Sequence, residues 1–382
     1  MKARPGLRAL GIAQTLAVLA VLGMSAASAD WPMLRADIHR SGIADAVAAA
    51  GLDVAWSVKL GSSVDSSPAI ADGKIFVGTA DGAVFCLHEA DGSTVWQAPT
   101  DGCVVSSPAI HQGTVYVGSV DRCLYAFDAA SGAVRWRVRT WEPVVASPLV
   151  FAGRVYFGSM DGSFKCLEAD TGRPVWEQQS GPISGAAAAD EAGVVFYGDE
   201  AGTLWARDAA TGTQIWKASV TGGFIRAPLV TDAAVIAGVM SPTALRAPRI
   251  KYLLAFDKAT GAELWSKEGQ SSVLHIPVAD QDIVYYATVS GYTSDTTLFA
   301  NRLSDGKDLW KNRLGGVADS SPVLAGDYLL FGNHDSHFHV VEKKSGREVR
   351  SIDIGAKLYS SPAVVDGRVY FGTGDGKLYC LK

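Results

Sequence analysis

Three histidines lie close together in the segment NHDSHFHV, residues 333–340, and could bind a metal ion. His334, His337 and His339 carry imidazole groups, which are common ligands of transition metals. When this segment is aligned with similar segments of the chain, His339 takes a position held elsewhere by strand aromatics, and Asp335 takes a turn position held by other aspartates. Only His334 and His337 remain, and a zinc site needs three or four ligands. We therefore predict no metal site.

The five cysteines divide into two groups. Cys86, Cys166 and Cys380 occupy a position that other parts of the chain fill with alanine, so we interpret them as buried substitutes for alanine. Cys103 and Cys123 remain and are predicted to lie at the same end of one sheet. They form a candidate disulfide, although two strands are about 9.6 Å apart and the usual Cα separation is about 4.4–6.8 Å.

A repeat of 40 residues must position all of these side chains. The segments 64–96, 104–136 and 144–176 share an S-x-P-like start, three short runs of alternating β-branched and aromatic residues, and a closing tryptophan. Each run predicts a β-strand. The repeat starts are marked by the following residues: Pro68, Pro108, Pro148, Ala188, Pro228, Pro277, Pro322 and Pro362.

Eight such units predict an all-β, eight-bladed β-propeller with four antiparallel strands per blade. The last unit ends after three strands, whereas residues 52–61 look like a fourth strand without the preceding three. We therefore expect the N-terminal strand to complete the last blade and close the ring, which removes the open sheet edges. The predicted domains are a signal peptide, residues 1–29, an N-terminal extension, residues 30–51, and the propeller, residues 52–382. The extension is expected to lie against the propeller, with Trp31 as its anchor.

The closing segments have a fixed spacing that suggests a packing role. In the seven units with an unbroken closing segment, a small residue or valine lies ten positions before the closing residue and a glycine lies four positions before it. In the last unit, which Trp56 completes, Cys380 takes the place of the small residue. We expect the indoles to pack between blades, with the small residue leaving space for them. The docking tryptophans are Trp56, Trp96, Trp136, Trp176, Trp216, Trp265 and Trp310, and Arg350 takes the remaining position.

These A-x-D-x-x-[ST]-G-x-x-x-W segments resemble the tryptophan-docking motifs of pyrroloquinoline quinone (PQQ)-type propellers. The resemblance covers roughly residues 52–382 and implies a quinoprotein-like fold. That fold is shared by PQQ-dependent dehydrogenases and by non-enzymatic relatives such as the propeller lipoprotein of the outer-membrane barrel-assembly machinery. Fold alone does not choose between these functions.

The resemblance also implies what a dehydrogenase of this kind would need. Those enzymes hold the quinone between an indole and a vicinal disulfide, beside a calcium ion with carboxylate and amide ligands. This chain has no Cys-Cys pair and no C-x-x-C-H motif for covalent haem. Trp141 and Trp205 lie outside the docking series. Neither has a position that identifies it as the indole on which a quinone would stack. We expect no PQQ, no calcium and no catalysis, and keep a PQQ-dependent oxidoreductase as the alternative.

The first residues and the overall charge suggest an exported, acidic protein. Lys2, Arg4 and Arg8 precede an apolar run that ends at Ala27-Ser28-Ala29, which predicts a cleaved signal peptide rather than a membrane span. The residue after that site is Asp30 and not a lipid-accepting cysteine. The mature chain would carry 31 basic and 39 acidic residues, a net charge of −8, which argues against nucleic-acid binding. We expect a monomeric periplasmic or secreted protein without a transmembrane segment.

Two interruptions of the repeat indicate where a partner could bind. Extra residues occur at 241–252 and 290–297, both between the second and third strands of their units. Loops on a rigid scaffold often carry recognition, but such insertions are also tolerated without a function. The predicted function is a non-catalytic scaffold that binds an envelope protein, with a carbohydrate as the alternative ligand. The predicted binding residues are Arg226, Arg246, Arg249, Lys251, His275, Tyr292, His334 and His337.

Overall fold

Eight antiparallel sheets, numbered here as blades 1 to 8 in chain order, form a closed ring. The computed structural model describes residues 30–241, 249–290 and 296–382. Both the predicted number of blades and the predicted number of strands are confirmed. The first strands of neighbouring blades contact one another and surround a central channel, and the fourth strands lie at the outside.

The strand bounds of the first four blades follow the repeat. Blade 1 consists of Ala69–Ala71, Lys74–Gly78, Ala83–His88 and Thr94–Pro99. Blade 2 consists of Ala109–His111, Thr114–Gly118, Cys123–Asp128 and Val134–Arg139. Blade 3 consists of Leu149–Phe151, Arg154–Gly158, Ser163–Glu168 and Pro174–Gln179. Blade 4 consists of Ala188–Ala189, Val194–Gly198, Thr203–Asp208 and Gln214–Ser219.

The other four blades have longer or additional strands. Blade 5 consists of Phe224–Val230, Ala234–Met240, Ile250–Asp257 and Glu263–Gly269. Blade 6 consists of Ser271–Ser272 with Val278–Ala279, then Ile283–Ser290, Thr296–Arg302 and Asp308–Leu314. Blade 7 consists of Val323–Ala325, Tyr328–Gly332, His337–Glu342 and Glu348–Asp353, with Ile43–Ala44 as a parallel inner strand. Blade 8 consists of Ala363–Val365, Arg368–Gly372 and Lys377–Leu381, completed by Val54–Lys59. A short 3₁₀ helix spans Ala49–Gly51.

The closing strand joins the two ends of the chain. Val54–Lys59 pairs antiparallel with Lys377–Leu381, and Trp56 lies opposite Cys380. The backbones of Asp53 and Lys382 exchange two further hydrogen bonds of 3.0 Å each. The prediction that the N-terminal strand completes the last blade is therefore confirmed.

Burial explains why the strands differ in composition. Second strands such as Arg154–Gly158 are buried on both faces between neighbouring blades, and they are accordingly almost continuously apolar. Fourth strands such as Pro174–Gln179 alternate between exposed and half-buried residues because they lie at the outer edge. The apolar pattern of a strand, continuous or alternating, thus indicates how far the strand lies from the channel.

The closing tryptophans connect each blade to the next one. The indole of Trp136 lies opposite Ala126 within its own blade, and its Nε1 donates a 3.1 Å hydrogen bond to the carbonyl of Ala169 in blade 3. The same carbonyl accepts a 3.0 Å hydrogen bond from the Tyr116 hydroxyl. Gly172, at φ +68°, faces this indole, and a Cβ there would lie 2.7 Å from the ring. A side chain would strain the turn and push the indole away.

Five other tryptophans make the equivalent bond to the next blade. The donors and acceptors are Trp96 to Ala129, Trp176 to Ala209, Trp216 to Lys258, Trp265 to Leu303 and Trp310 to Lys343. Trp56 faces Gly92, but its Nε1 has no hydrogen-bond partner within the described residues. Arg350, which replaces the eighth indole, forms an ion pair with Asp53 beside the closing strand. The junction of blades 7 and 8 is therefore held by charge at the position where other blades use an indole.

Paired serines at the start of several blades perform two different structural tasks. In blade 1, the Ser66 hydroxyl accepts a 2.7 Å hydrogen bond from the Gly78 amide and donates to its carbonyl, which fixes the first strand to the second. The next serine connects blades, because the Ser67 amide donates a 3.0 Å bond to the hydroxyl of Ser107 in blade 2. The S-S-P pattern therefore joins strands within a blade and blades within the ring.

Blade 4 requires a correction of one residue. The repeat places its start at Ala188, but Ala188 pairs with Phe196 as Leu149 pairs with Tyr156, so Ala187 corresponds to Pro148. The carbonyls of Ala187 and Pro148 also bind the same guanidinium group. The reason is a longer first turn in blade 4, which shifts the register within a repeat of unchanged total length.

Residues 30–44 lie inside the ring and close one end of the channel. Trp31 is buried and exchanges two 2.8 Å backbone hydrogen bonds with Ile70. Further carbonyls of the segment accept hydrogen bonds of 2.7–3.0 Å from first-strand amides of blades 2, 4, 5 and 7. The pairs are Ile110 to Pro32, Ala189 to Ile38, Val230 to His39 and Leu324 to Gly42. The segment, called the plug below, is thus bound to five blades by its backbone.

Two buried arginines fix the plug to further blades. Arg35 is 1% exposed and donates to the carbonyls of Pro277 in blade 6, at 2.8 Å, and of Pro322 in blade 7. Arg40 is fully buried and donates to the carbonyls of Ala187, at 2.8 Å, and Pro148, at 3.2 Å. Burial lowers the pKa of Arg35 to about 9 and that of Arg40 to about 10, so both remain charged at neutral pH.

We predict that Arg35→Met destabilises the whole propeller. The substitution preserves much of the volume but leaves buried carbonyls of two blades without a donor, which costs about 2–4 kcal/mol of unfolding free energy. Urea unfolding followed by tryptophan fluorescence measures this change. The control is Arg139→Met, because Arg139 is exposed on the outer strand of blade 2. Equal unfolding free energies for the two variants would contradict the structural role of Arg35.

Candidate binding site at the channel mouth

The open end of the channel is a cavity of about 390 Å³. It lies on the face that carries the connections between blades, called the linker face below. Residues from all eight blades line it, and Leu34 of the plug lies at its floor. The cavity is therefore a pocket with one opening. A second depression of about 910 Å³ lies on the opposite face between blades 5 and 6, where turns and the plug residues His39 and Ile43 line it.

One side of the pocket carries a continuous arc of five serine hydroxyls from blades 7, 8, 1, 2 and 3. Each hydroxyl accepts a hydrogen bond of 2.9–3.2 Å from an amide of the preceding blade, and each serine is at least nine-tenths buried. This serine arc consists of Ser321, Ser361, Ser67, Ser107 and Ser147. None of the five hydroxyls donates a hydrogen bond to another described residue. Each therefore retains a hydrogen for a ligand or solvent.

The serine arc is interrupted in blades 4, 5 and 6. The corresponding positions there hold Ala186, Ala227 and Ile276, which have no hydroxyl. Arg226 and His275 occupy the preceding position, where Ser66 and Ser106 bind their own blades. A Cβ built on Gly185 of blade 4 would overlap the carbonyl of Arg226, so glycine permits the close approach of these two blades. The side chain of Arg226 is exposed at the mouth, and its guanidinium group makes no hydrogen bond or ion pair within the described residues.

A carboxylate connects two of the predicted histidines. Asp319 Oδ2 lies 2.9 Å from His334 Nε2 in a hydrogen bond, and Asp319 Oδ1 lies 2.9 Å from His275 Nε2. The second contact is electrostatic, because the oxygen is off the N–H direction and leaves Nε2 without an aligned hydrogen bond. The His334 ring also packs edge-on against Tyr359, with centroids 4.9 Å apart. Blades 6, 7 and 8 thus meet in one cluster.

The electrostatics of Asp319 combine two opposing effects. Burial of the carboxylate by itself raises the pKa of Asp319, but the contacts with His275 and His334 outweigh burial, and the pKa lies below its ordinary value. The carboxylate is consequently ionised at neutral pH. Both of its oxygens are contacted by imidazoles, whereas the guanidinium group of Arg226 has no described partner.

The structure separates the predicted binding residues into two groups. Arg226, His275 and His334 lie together at the mouth, as the lining and the Asp319 contacts show. Arg249 and Lys251 lie at the start of the third strand of blade 5 and form ion pairs of 3.9 Å and 2.7 Å with glutamates of the adjacent fourth strand. Whether they bind a partner stays a prediction. Arg246 and Tyr292 lie outside the described residues.

The remaining histidines belong to the turn and third strand of blade 7. His337 Nδ1 lies 2.9 Å from the Asp335 carbonyl oxygen, and its side chain is part-exposed on the linker face. His339 is buried and stacks on Phe331, as expected for a strand aromatic. Among the described residues, no three histidine, cysteine or acidic side chains have a geometry that could hold a metal ion.

Cys103 and Cys123 are free thiols in the structure, so the candidate disulfide is absent from it. Cys103 lies in the linker between blades 1 and 2, where its carbonyl accepts a 2.9 Å hydrogen bond from the Val120 amide. Cys123 begins the third strand of blade 2, and its amide binds the Asp121 carboxylate. Cys86, Cys166 and Cys380 are buried opposite Trp96, Trp176 and Trp56, as the interpretation of these cysteines requires.

Sequence reasoning missed Asp319 and Tyr359. It expected the N-terminal extension to lie against the propeller, anchored by Trp31, but did not place it inside the channel. Asp319 and Tyr359 stand directly before an S-S-P segment, as Asp65 and Val105 do. Variation at this one repeat position was the available signal, because the aligned side chains of seven blades line the pocket. The plug carried no repeat signal.

The residues at the mouth do not fit the quinone cofactor that the fold family implies. The pocket is lined by serines and apolar residues, by four polar or charged side chains, and by one phenol ring, that of Tyr359. The four are Asp65, Arg226, His275 and Asp319. Trp141 is 85% exposed in the linker between blades 2 and 3, and the Trp205 indole donates to Asp199 in blade 4. Neither indole lines the pocket, and the chain has no adjacent cysteine pair. A planar quinone would lack both of its stacking partners here.

The comparison with protein families supports the fold and decides the family. A family model described as outer membrane protein assembly factor BamB matches residues 40–159, 160–317 and 294–382. The chain belongs to this family. Within the BamB family, the protein from Shewanella oneidensis is 33% identical over 76 residues, which is 19% of either chain. BamB from Marinobacter adhaerens is 26% identical over 155 residues, 40% of this chain and 35% of that protein. The chain thus matches about a fifth and about a third of the length of these relatives.

Solved structures show the same fold. BamB from Moraxella catarrhalis superposes with a TM-score of 0.72 at 23% identity, covering 87% of this chain and 97% of that one. Quinohemoprotein alcohol dehydrogenase from Comamonas testosteroni superposes with a TM-score of 0.79 at 16% identity. The superposition covers 92% of this chain and 80% of that one. A PQQ-like β-propeller is thus shown by BamB and dehydrogenase structures alike. No helix in the described part of the chain is long and apolar enough to cross a membrane.

We predict that Asp319→Asn reduces stability in a pH-dependent way. A lowered pKa means that the carboxylate stabilises the fold above about pH 4, its unfolded value, and that this contribution is lost as the pH falls through the folded value. At pH 7 the substitution should lower the free energy of unfolding by about 1–2 kcal/mol. Urea unfolding at pH 7 and at about pH 3 measures it.

The same measurement on Asp101→Asn is the control, since Asp101 is exposed on the linker face. That variant should differ from the parent protein by less than about 0.5 kcal/mol. If Asp319→Asn lowered the free energy of unfolding equally at both pH values, the assigned role of the carboxylate would be contradicted.

Proposed function

We propose that this protein is a non-catalytic, protein-binding propeller of the periplasm that takes part in outer-membrane protein assembly. Membership of the BamB family supports this role, because the family is described by that assembly activity. The acidic composition and the signal-like N-terminus fit an exported protein. The lack of stacking partners for a quinone at the channel mouth favours binding over the oxidoreductase alternative.

The proposed partner surface is the part of the linker face over blades 5, 6 and 7. The observation that carries this assignment is the replacement of structural serines there by Arg226 and His275. Those positions no longer fix strands as Ser66 and Ser106 do, and they present charged or polar side chains at the rim instead. His334 and His337 continue this surface into blade 7.

The connections in the same sector are also longer. Nine residues, 241–249, join the second and third strands of blade 5, whereas four residues, 79–82, do so in blade 1. The strands on either side of the longer connections are extended as well, for example Ala234–Met240 compared with Lys74–Gly78. A rigid ring with lengthened connections on one side suits protein recognition. The charge of Arg226 favours a partner with an acidic or carboxylate-bearing surface.

Site-specific photo-crosslinking in cells tests this proposal. A photoreactive residue at Arg226 or at His337 should give discrete crosslinked bands that contain a component of the outer-membrane assembly machinery. The same residue at Asp91, exposed on the opposite face, or at Trp141, on the linker face of blades 2 and 3, is the matched control.

Bands at Asp91 or Trp141 with none at Arg226 and His337 would contradict the proposed surface. The oxidoreductase alternative has its own readout, which is quinone absorbance and dye-linked alcohol oxidation after incubation with PQQ and calcium. We expect neither signal. Saturable quinone binding with turnover would overturn the non-catalytic assignment.

A further inference from the structure

The pocket has an uneven distribution of hydrogen-bonding groups that suits a small ligand. The serine arc on one side provides five buried hydroxyls with unused hydrogens. The opposite side provides the Arg226 guanidinium, which has no partner within the described residues. All these groups donate hydrogen bonds, so they require a ligand that is rich in acceptor oxygens.

Two further groups make the pocket more selective than a simple anion site. Asp65 lines the pocket and is contacted by the Ser63 hydroxyl, which leaves acceptor positions of the carboxylate free. The two oxygens of Asp319 are already contacted by His275 and His334. The Asp65 charge disfavours ligands with several negative charges, and its free oxygens favour ligands that carry hydroxyl donors. A single carboxylate with several hydroxyls satisfies both conditions.

The size and closure of the pocket agree with such a ligand. A volume of about 390 Å³ lies near the lower end of the range for small-molecule pockets, about 300–1,000 Å³. Leu34 of the plug supplies an apolar contact below a bound molecule, and residues of all eight blades surround it. Tyr359, whose hydroxyl makes no hydrogen bond within the described residues, supplies one aromatic surface at the rim.

We propose that the channel mouth binds a small hydroxylated monocarboxylate of the sugar-acid class. Its carboxylate lies on Arg226, its hydroxyl oxygens accept hydrogen bonds from the serine arc, and one of its hydroxyls donates to Asp65. This ligand site goes beyond the proposed protein-binding function and does not require it. The two share Arg226, so a ligand in the pocket would compete with a partner at that residue.

Isothermal titration calorimetry on the full chain tests the ligand site without any protein partner. The probe is sodium D-glucuronate, which carries one carboxylate and several hydroxyls. Glucose has the hydroxyls without the charge, and acetate and sulfate carry charge without the hydroxyls. We expect saturable 1:1 binding of glucuronate, and at least about tenfold weaker binding of the three others, since charge-assisted hydrogen bonds supply factors of this size.

Two substitutions with matched controls assign the binding to this pocket. Arg226→Gln should weaken glucuronate binding about tenfold or more, whereas Arg139→Gln on the outer strand of blade 2 should leave it unchanged. Ser147→Ala should weaken it about threefold to tenfold. Alanine already occupies this position in blades 4 and 5, so the fold tolerates it. Ser219→Ala, on an exposed outer strand, is the second control.

Several results would overturn the proposal. Absence of saturable glucuronate binding is one, and binding of acetate or sulfate as strong as that of glucuronate is another, because it would indicate a simple anion site. Equal losses of glucuronate affinity in Arg226→Gln and Arg139→Gln would show that the ligand binds outside this pocket. None of these results bears on the crosslinking experiment, so failure of the ligand site and failure of the partner surface remain distinguishable.

Discussion

Two guanidinium groups in the centre of the ring determine much of this structure. A ring of eight similar blades leaves a channel lined by first-strand edges, whose carbonyls and amides need partners. Arg35 and Arg40 donate to four of these carbonyls in blades 3, 4, 6 and 7, and the plug backbone accepts from first-strand amides in five blades. The described part of the plug thereby closes the channel at one end, and the mouth of the pocket lies on the linker face.

Hydrogen bonds join neighbouring blades both near the outside of the ring and at the channel. Comparing these two sets of bonds locates the candidate site. Indole-to-carbonyl bonds such as Trp136 to Ala169 connect blades near the outside, and bonds from a backbone amide to a serine hydroxyl, such as Ser67 to Ser107, connect them at the channel. The outer bonds continue through blades 4, 5 and 6, where Trp176, Trp216 and Trp265 retain their acceptors. The inner serines are missing there. Because the indoles still hold these blades, the inner positions are free to carry Arg226 and His275.

The repeat made most of the fold predictable from the sequence, because each of the eight units contains the same pattern of strands and turns. Features that depend on the ring as a whole were not predictable. His275 and Asp319 are 44 residues apart and meet only because blades 6 and 7 are neighbours around the channel. Arg35 and Arg40 occur in a segment without strand alternation, and nothing local indicates that they enter the channel. Ala187 was misplaced by one residue because a longer turn compensated for a shorter linker within the 40-residue period.

Native-state hydrogen exchange tests the central role of the plug most directly. The relevant amides are those that donate to plug carbonyls: Ile70, Ile110, Ala189, Val230 and Leu324. If the plug is an integral part of the ring, these amides exchange only through global unfolding, and their exchange free energies equal those of second-strand amides such as Val155. Exchange of all five amides through a separate, low-energy opening would show that the plug leaves the channel independently and would contradict this account.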